Sequence, residues 1–243
     1  MTDPSTVTAA MIVIGDEVLS GRTADVNINA VATACTEHGI ALVEARIVAD
    51  DEDAIVEAVN TLRARVDYVF TSGGIGPTHD DITADSVAKA FGVGLREHPT
   101  AIQLLLDHYK DPAQLTPARR RMARVPEGGE LIYNAVTKAP GFRVDNVYVM
   151  AGVPTIMRSM LKAIFPTLRG GEVVQSCTVR VERGESSVAD ALAAVQAAHP
   201  DVAIGSYPFT ENGVFGTHLV ARSADLGRLA QVQTALQQLA DGA

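Results

Sequence analysis

The stretch Thr71-Ser72-Gly73-Gly74-Ile75-Gly76-Pro77-Thr78-His79-Asp80-Asp81-Ile82-Thr83 constrains this chain more than any other. An apolar run, Tyr68-Val69-Phe70, precedes it and reads as a buried strand. Ala84 to Phe91 follows and reads as a helix, with Gly92 beyond its end. A strand, a glycine-rich turn and a helix start make an anion site, because backbone N–H groups point outward there and the helix dipole favours negative charge. The same turn carries two adjacent carboxylates, Asp80 and Asp81. A phosphate beside them is repelled unless a cation lies between, so the stretch points to an anion bound together with a metal.

The strand-to-helix step recurs. Ala9 to Ile14 is wholly apolar and stops at Gly15, which suits a strand buried on both faces. Asp16-Glu17 follow at once, and Val18 to Arg22 reads as a loop. Val26 to His38 is spaced as a helix that Asp25 would cap and Gly39 would end; Ala41 to Val48 reads as a second strand. The acids Asp50 to Asp53 open a helix running to about Arg65; they invite a metal reading, but acids in a first turn more commonly offset the dipole and cap free N–H groups. The β-α-β-α-β-α order predicts an α/β layered fold, with helices covering a mostly parallel sheet. Ligands of such sheets sit at the carboxyl ends of strands, so Asp16-Glu17 and Ser72 to Asp81 converge on one edge.

From His98 to Val125 the pattern is helical in two pieces, the second carrying Arg119, Arg120, Arg121 and Arg124. That basic cluster reads either as a solvated face or as a flap meeting ligand phosphates. Glu130 to Tyr133 reads as a short strand, Thr137 to Phe142 as a turn-rich loop, Val147 to Ala151 as a buried strand and Thr155 to Leu168 as a helix. Arg169-Gly170-Gly171 marks a boundary, giving an α/β domain over 1–169 and a small α+β domain over 170–243. The second domain reads β-α-β-β-α, its last strand pair joined around Asn212-Gly213, a hairpin cue.

The formal net charge of −9 argues against nucleic acid and anionic membrane as partners. No run approaches the roughly 20 apolar residues of a membrane span, and Met1 to Thr8 is too short and acidic for a signal peptide. A cytoplasmic protein is expected. Two cysteines, Cys35 and Cys177, make no disulfide framework. No His/Cys spacing supports zinc, and no Ser-His-Asp triad can be argued.

A cation held beside an anion-binding turn takes hard oxygen donors. Asp80 and Asp81 are hard ligands suited to Mg²⁺ or Mn²⁺, with helix-start capping as the bland alternative. Asp16 and Glu17 would complete the metal site or act as general base, or else bond nearby N–H groups. The backbone from Ser72 through Gly73 and Gly74 to Gly76 would hold a phosphate, with the hydroxyls of Thr78 and Thr83 donating to it. Thr83 has a second reading, as a cap. His79 reads as exposed or orienting.

These motifs resemble a known family. Gly15-Asp16-Glu17-Val18-Leu19-Ser20-Gly21, with Asn27 beyond, is similar to the first motif of the molybdopterin-binding superfamily, and the stretch Thr71–Thr83 to its second. The Gly76-Pro77-Thr78-His79-Asp80-Asp81 form resembles the competence/damage-inducible protein A branch and the domain fused to some eukaryotic FAD synthases. Ala139-Pro140-Gly141-Phe142 and Gly152-Val153-Pro154 match later motifs of that branch. The resemblance implies a three-layer α/β sandwich with a mostly parallel sheet, homo-oligomers, and a small phosphorylated ligand, nucleotide or pterin. It adds Asn27, Pro140, Gly141 and Gly152 to the ligand site. For one part of the superfamily it implies binding of molybdopterin or its adenylylated form. For the competence-protein branch it implies a metal-dependent pyrophosphatase acting on ADP-ribose-like dinucleotides. That branch often continues into a nicotinamide mononucleotide deamidase domain; with the sequence ending at Ala243, no deamidase activity is expected. Thr137 and Lys138 depart from the branch's usual loop, and Lys138 reads equally as a phosphate contact or a solvated charge.

Overall fold

A computed structural model of the chain describes residues 6–242; residues 1–5, most of the stretch whose sequence does not suit a signal peptide, lie outside the described residues, as does residue 243. The chain divides into two compact units, Met1–Gly171 and Glu172–Ala243.

The first unit is built on β1 (Val7–Ile14), apolar almost throughout and buried on both faces. A short helix, α1 (Asp16–Leu19), follows where the sequence suggested only loop. Then come α2 (Asn27–Glu37), β2 (Ile40–Val48), α3 (Glu52–Arg63), β3 (Tyr68–Ser72) and α4 (Thr83–Phe91). Asp51 caps α3, its carboxylate accepting the Ala54 N–H at 2.9 Å, and Gly92 ends α4 in the left-handed conformation. β4 (Leu95–Glu97), α5 (Pro99–Tyr109), α6 (Pro117–Arg120) and β5 (Arg124–Pro126) form the next segment, closed by antiparallel pairing of β4 with β5. β5 corrects the expectation of helix through Val125, and β4 had no expected element: with arginine or glutamate among three residues, neither carries a strand period of its own. β6 (Glu130–Ile132), β7 (Gly141–Val144), β8 (Val147–Met150) and α7 (Pro154–Ile164) complete the unit. β7 corrects the expectation of loop through Phe142. It is four residues long and starts at a glycine, and Asp145 turns it into β8 at positive φ.

The six strands order as β2-β1-β3-β8-β7-β6. β2, β1, β3 and β8 run parallel; β7 and β6 add antiparallel pairings. One face packs α2 and α7 through Val31, Cys35, Met157, Met160 and Ile164. The other packs α3 and α4 through Ile55, Val59, Leu62 and Val87. This is the three-layer α/β arrangement. The chain leaves β1 toward β2 on one side and returns to β3 on the other, so the carboxyl ends of β1 and β3 flank a switch point, where open α/β sheets bind ligands.

The second unit runs β9 (Gln175–Val181), α8 (Glu185–Ala198), β10 (Ala203–Glu211), β11 (Val214–Ser223) and α9 (Leu226–Asp241). Its antiparallel sheet orders β10-β11-β9 over a core of Val179, Leu219, Val232 and Leu236. Asn212 and Gly213 both take positive φ at the hairpin, as an Asn-Gly turn requires. Among the described residues, no helix is long and apolar enough to cross a membrane.

Candidate functional site

A cavity of about 450 Å³ opens at the switch point. Its lining includes Glu17 after β1, Asp50 after β2, Gly73 to Pro77 with Asp80 and Asp81 after β3, Pro140 before β7, and Gly152 after β8. Thus the strand ends predicted to converge do so.

The glycine turn is fixed from within. Gly73 takes φ 113°, where a side chain is strained, and a Cβ there would collide with the Ile14 carbonyl oxygen. Its N–H donates to Met150 C=O at 3.1 Å. Thr83 Oγ1 donates to Gly73 C=O at 3.0 Å and Thr83 N–H to Gly74 C=O at 3.0 Å, fastening α4 to the turn. Asp81 accepts the Gly76 N–H at 2.7 Å on one oxygen, and the Thr78 N–H at 2.8 Å and Oγ1–H at 2.6 Å on the other. Those bonds leave the N–H groups of Gly74 and Ile75 without a partner among the described residues.

Several expectations need correcting on these contacts. Asp81, expected as a catalytic and metal-binding residue, holds the turn: three of its roughly four acceptor positions are used. Thr78 is spent on Asp81, and the buried Thr83 on the turn backbone, so neither hydroxyl is offered to a phosphate. Ser72 is buried; its hydroxyl accepts from Asn27 Nδ2 at 2.8 Å and donates to Ala151 C=O at 3.3 Å. Asn27, also buried, ties Ser72 to Gly152 C=O at 2.8 Å, stapling β3 to β8 from α2. Gly141 does not line the cavity; it lets β7 pass close to Val149, whose carbonyl a Cβ would strike. Asp81 lines the cavity while it holds the turn; Thr78, Thr83, Ser72, Asn27 and Gly141 build the site without lining it.

The acids divide differently from expectation. Asp16 is absent from the lining; its N–H donates to Asp50 Oδ2 at 3.0 Å, and its own carboxylate faces the Asp50 N–H at 3.4 Å. Asp50 takes the place in the cavity expected for Asp16. Burial pushes the Asp50 carboxyl upward; the Asp16 N–H opposes this, and the charges of Asp16, Glu17 and Asp80 add to it. Glu17, Asp50 and Asp80 therefore feel one another across the cavity. Glu17 folds over Gly15, occupying space that a Cβ there would need. Asp50 could have been found by the rule that selected Asp16-Glu17, since it stands just beyond a strand's carboxyl end.

The basic cluster is used inside the fold. Arg124 makes a two-pronged pair with Asp85 at 2.7 and 2.9 Å, Arg120 pairs with Glu97, and Arg121 donates to Asp81 C=O at 3.0 Å. None of the four arginines lines this cavity. His79 is fully exposed. Cys35 is buried in the core with its thiol pushed up to about 12, which leaves it unreactive.

Among the described residues, no group of three or more His, Cys, Asp or Glu side chains is arranged to hold a metal alone. The donor chemistry still fits a hard divalent cation. Mg²⁺ commonly takes one or two carboxylates and completes its shell with phosphate oxygens and water, and Glu17, Asp50 and Asp80 line the cavity beside a turn with free N–H groups.

Sheet order and cavity define the class: a three-layer α/β domain whose site is made by strand-to-helix turns at the switch point. Residues 10–170 match the family described as probable molybdopterin binding domain, and residues 173–243 match the middle domain of FAD synthase. The chain belongs to the molybdopterin-binding-domain family, among its CinA-like members. A protein of Archaeoglobus fulgidus is 35% identical over 82% of this chain and 84% of its own length. A CinA-like protein of Citrifermentans bemidjiense is 39% identical over 66% of this chain but only 40% of its own length. The crystal structure of a CinA protein from Thermoplasma acidophilum, of unknown function, is 35% identical, with a TM-score of 0.63 over 67% of this chain and 98% of that one.

Proposed function

We propose that the first unit hydrolyses a nucleotide pyrophosphate of the ADP-ribose kind with a divalent metal such as Mg²⁺. The observation that carries this reading is the joining, in one cavity, of Glu17, Asp50 and Asp80, beside the turn-holding Asp81, with a turn that presents two N–H groups. Carboxylates beside a phosphate-type turn are unfavourable unless a cation accompanies the ligand. Glu17 and Asp80 are the residues to hold it, and a bound divalent ion would neutralise the pyrophosphate oxygens and lower the pKa of the attacking water. The Gly74 and Ile75 N–H groups hold a non-bridging phosphate oxygen, assisted by the dipole of α4. A carboxylate not occupied by the ion accepts the proton of the water; Asp50, whose burial raises its affinity for protons, suits that task.

Incubating the purified protein with ADP-ribose across Mg²⁺, Mn²⁺, Co²⁺ and Zn²⁺ tests this directly. AMP and ribose 5-phosphate should accumulate with at least one metal and be lost in Glu17→Gln and Asp50→Asn. No AMP with any metal would sink the hydrolytic reading.

A second reading is non-hydrolytic binding of molybdopterin or its adenylylated form. The taking-up of Asp81 by the turn, together with the family description, supports it. Pterin fluorescence retained through purification, without turnover, is the result that favours it.

A further inference from the structure

The cavity changes character along the sheet edge. β2 and β1 bring Asp50 and Glu17, β3 brings the glycine turn at the centre, and the wall then passes to Pro140, Ala139 and Thr137 ahead of β7. Its remaining side comes from the segment between β4 and β5. That segment adds no strand to the six-stranded sheet; it closes on its own hairpin and packs a small core of Ala101, Leu105 and Ala123. Tyr109 and Met122 pack against this small core, as Ala139 does, and all three also line the cavity. A segment outside the sheet thus supplies an apolar wall to the ligand site.

Tyr109 is braced. The guanidinium of Arg119 lies 4.1 Å from its ring centroid, and Arg119 Nη1 donates to Gln114 C=O at 2.7 Å. The ring of His108 meets Tyr109 edge-on at 5.0 Å. A tyrosine held in this way has lost its rotamer freedom before any ligand arrives, so stacking on it costs little further ordering. Aromatic side chains of this kind take up the flat faces of bases whatever their sequence of polar groups.

We infer that Tyr109, with Met122, is the specificity wall of the site: it receives the planar heterocycle of a nucleoside phosphate whose phosphate lies at the glycine turn. This rests on the reading of the turn and acids as a phosphate site. Asp50 and Glu17 stand at the strands on one side of the turn, and the aromatic wall from the β4–β5 segment meets Ala139 ahead of β7 on the other, so cation, phosphate and ring each have a side of the cavity. Ligands that carry the phosphate without the ring use only the first two.

Calorimetric titration of AMP and of ribose 5-phosphate into the full chain, with Mg²⁺ present, tests the inference without needing turnover. Tyr109→Phe keeps the ring, whereas Tyr109→Leu keeps apolar packing against Leu105 and Ala139 but removes the plane. The wild type and Tyr109→Phe should bind AMP at least about tenfold tighter than ribose 5-phosphate. Tyr109→Leu should lose most of that advantage while binding ribose 5-phosphate as the wild type does. The inference is overturned if the wild type shows no such advantage, if Tyr109→Leu retains it, or if that variant weakens both ligands alike. Absence of ADP-ribose hydrolysis with the expected binding pattern intact would overturn the hydrolytic reading alone.

Discussion

A carboxylate next to a glycine turn can serve the ligand or the turn, and Asp81 serves the turn. Its bonds to Gly76 and Thr78 free the Gly74 and Ile75 N–H groups by fixing the backbone around them. Asp81→Ala should therefore cost about 1.5–3 kcal/mol in urea unfolding, the worth of hydrogen bonds to a charged group. It should weaken phosphate binding as well. An unchanged unfolding midpoint would show that these bonds do little for the fold. The same distinction explains which site residues the sequence could reveal. Glycines declare a turn and acids declare charge, so Gly73, Gly74, Gly76, Glu17 and Asp80 were legible. A hydroxyl or amide looks alike whether it faces a ligand or a neighbouring strand, and Ser72, Thr83 and Asn27 turn out to face the fold.

The turn works because two elements are fastened to it. Thr83, the first residue of α4, bonds back to Gly73, and Arg121, just after α6, donates to the Asp81 carbonyl. Thr83→Val preserves shape but strands the Gly73 carbonyl. The expected loss is about 1–3 kcal/mol of stability, read from a urea denaturation series, with the melt staying cooperative. An equally stable variant would mean that α4 is anchored by packing of Val87 and Ala90 alone. Long elements with strong periodicity, such as β1 and α3, were recognisable from their apolar spacing. β4, β5 and β7 were not, because arginine, glutamate, proline and glycine break up their three or four residues, so no apolar run marks them and they form only against a partner strand. The aromatic wall was invisible for the same reason: the folding back of the β4–β5 segment is what brings Tyr109 to the cavity.

Each unit carries its own core, and the second has its own acid sensitivity. Asp201 and Arg228 form a two-pronged pair at 2.7 Å, which lowers the Asp201 carboxyl to about 2 from 3.8. A carboxyl depressed in the folded state stabilises it above the unfolded value and loses that contribution as pH falls through the folded one. Arg228→Met should melt earlier than the wild type at neutral pH, and the gap should close between pH 3.8 and about 2. A gap independent of pH would assign the loss to packing of the arginine stem. In the first unit, the order of layers followed from the β-α rhythm, and the carboxyl edge followed from the layers. What could not follow was that Asp16 leaves the cavity to bond Asp50, since it depends on how α1 laces to the end of β2. On the proposed function, the protein would supply only part of a metal shell and the pyrophosphate the rest. Titration of Mn²⁺ into the protein, alone and with a non-hydrolysable α,β-methylene analogue of ADP-ribose, measures this directly. The predicted result is weak binding alone and binding at least about tenfold tighter with the analogue, lost in Glu17→Gln. Tight binding without the analogue, or none with it, would contradict the account.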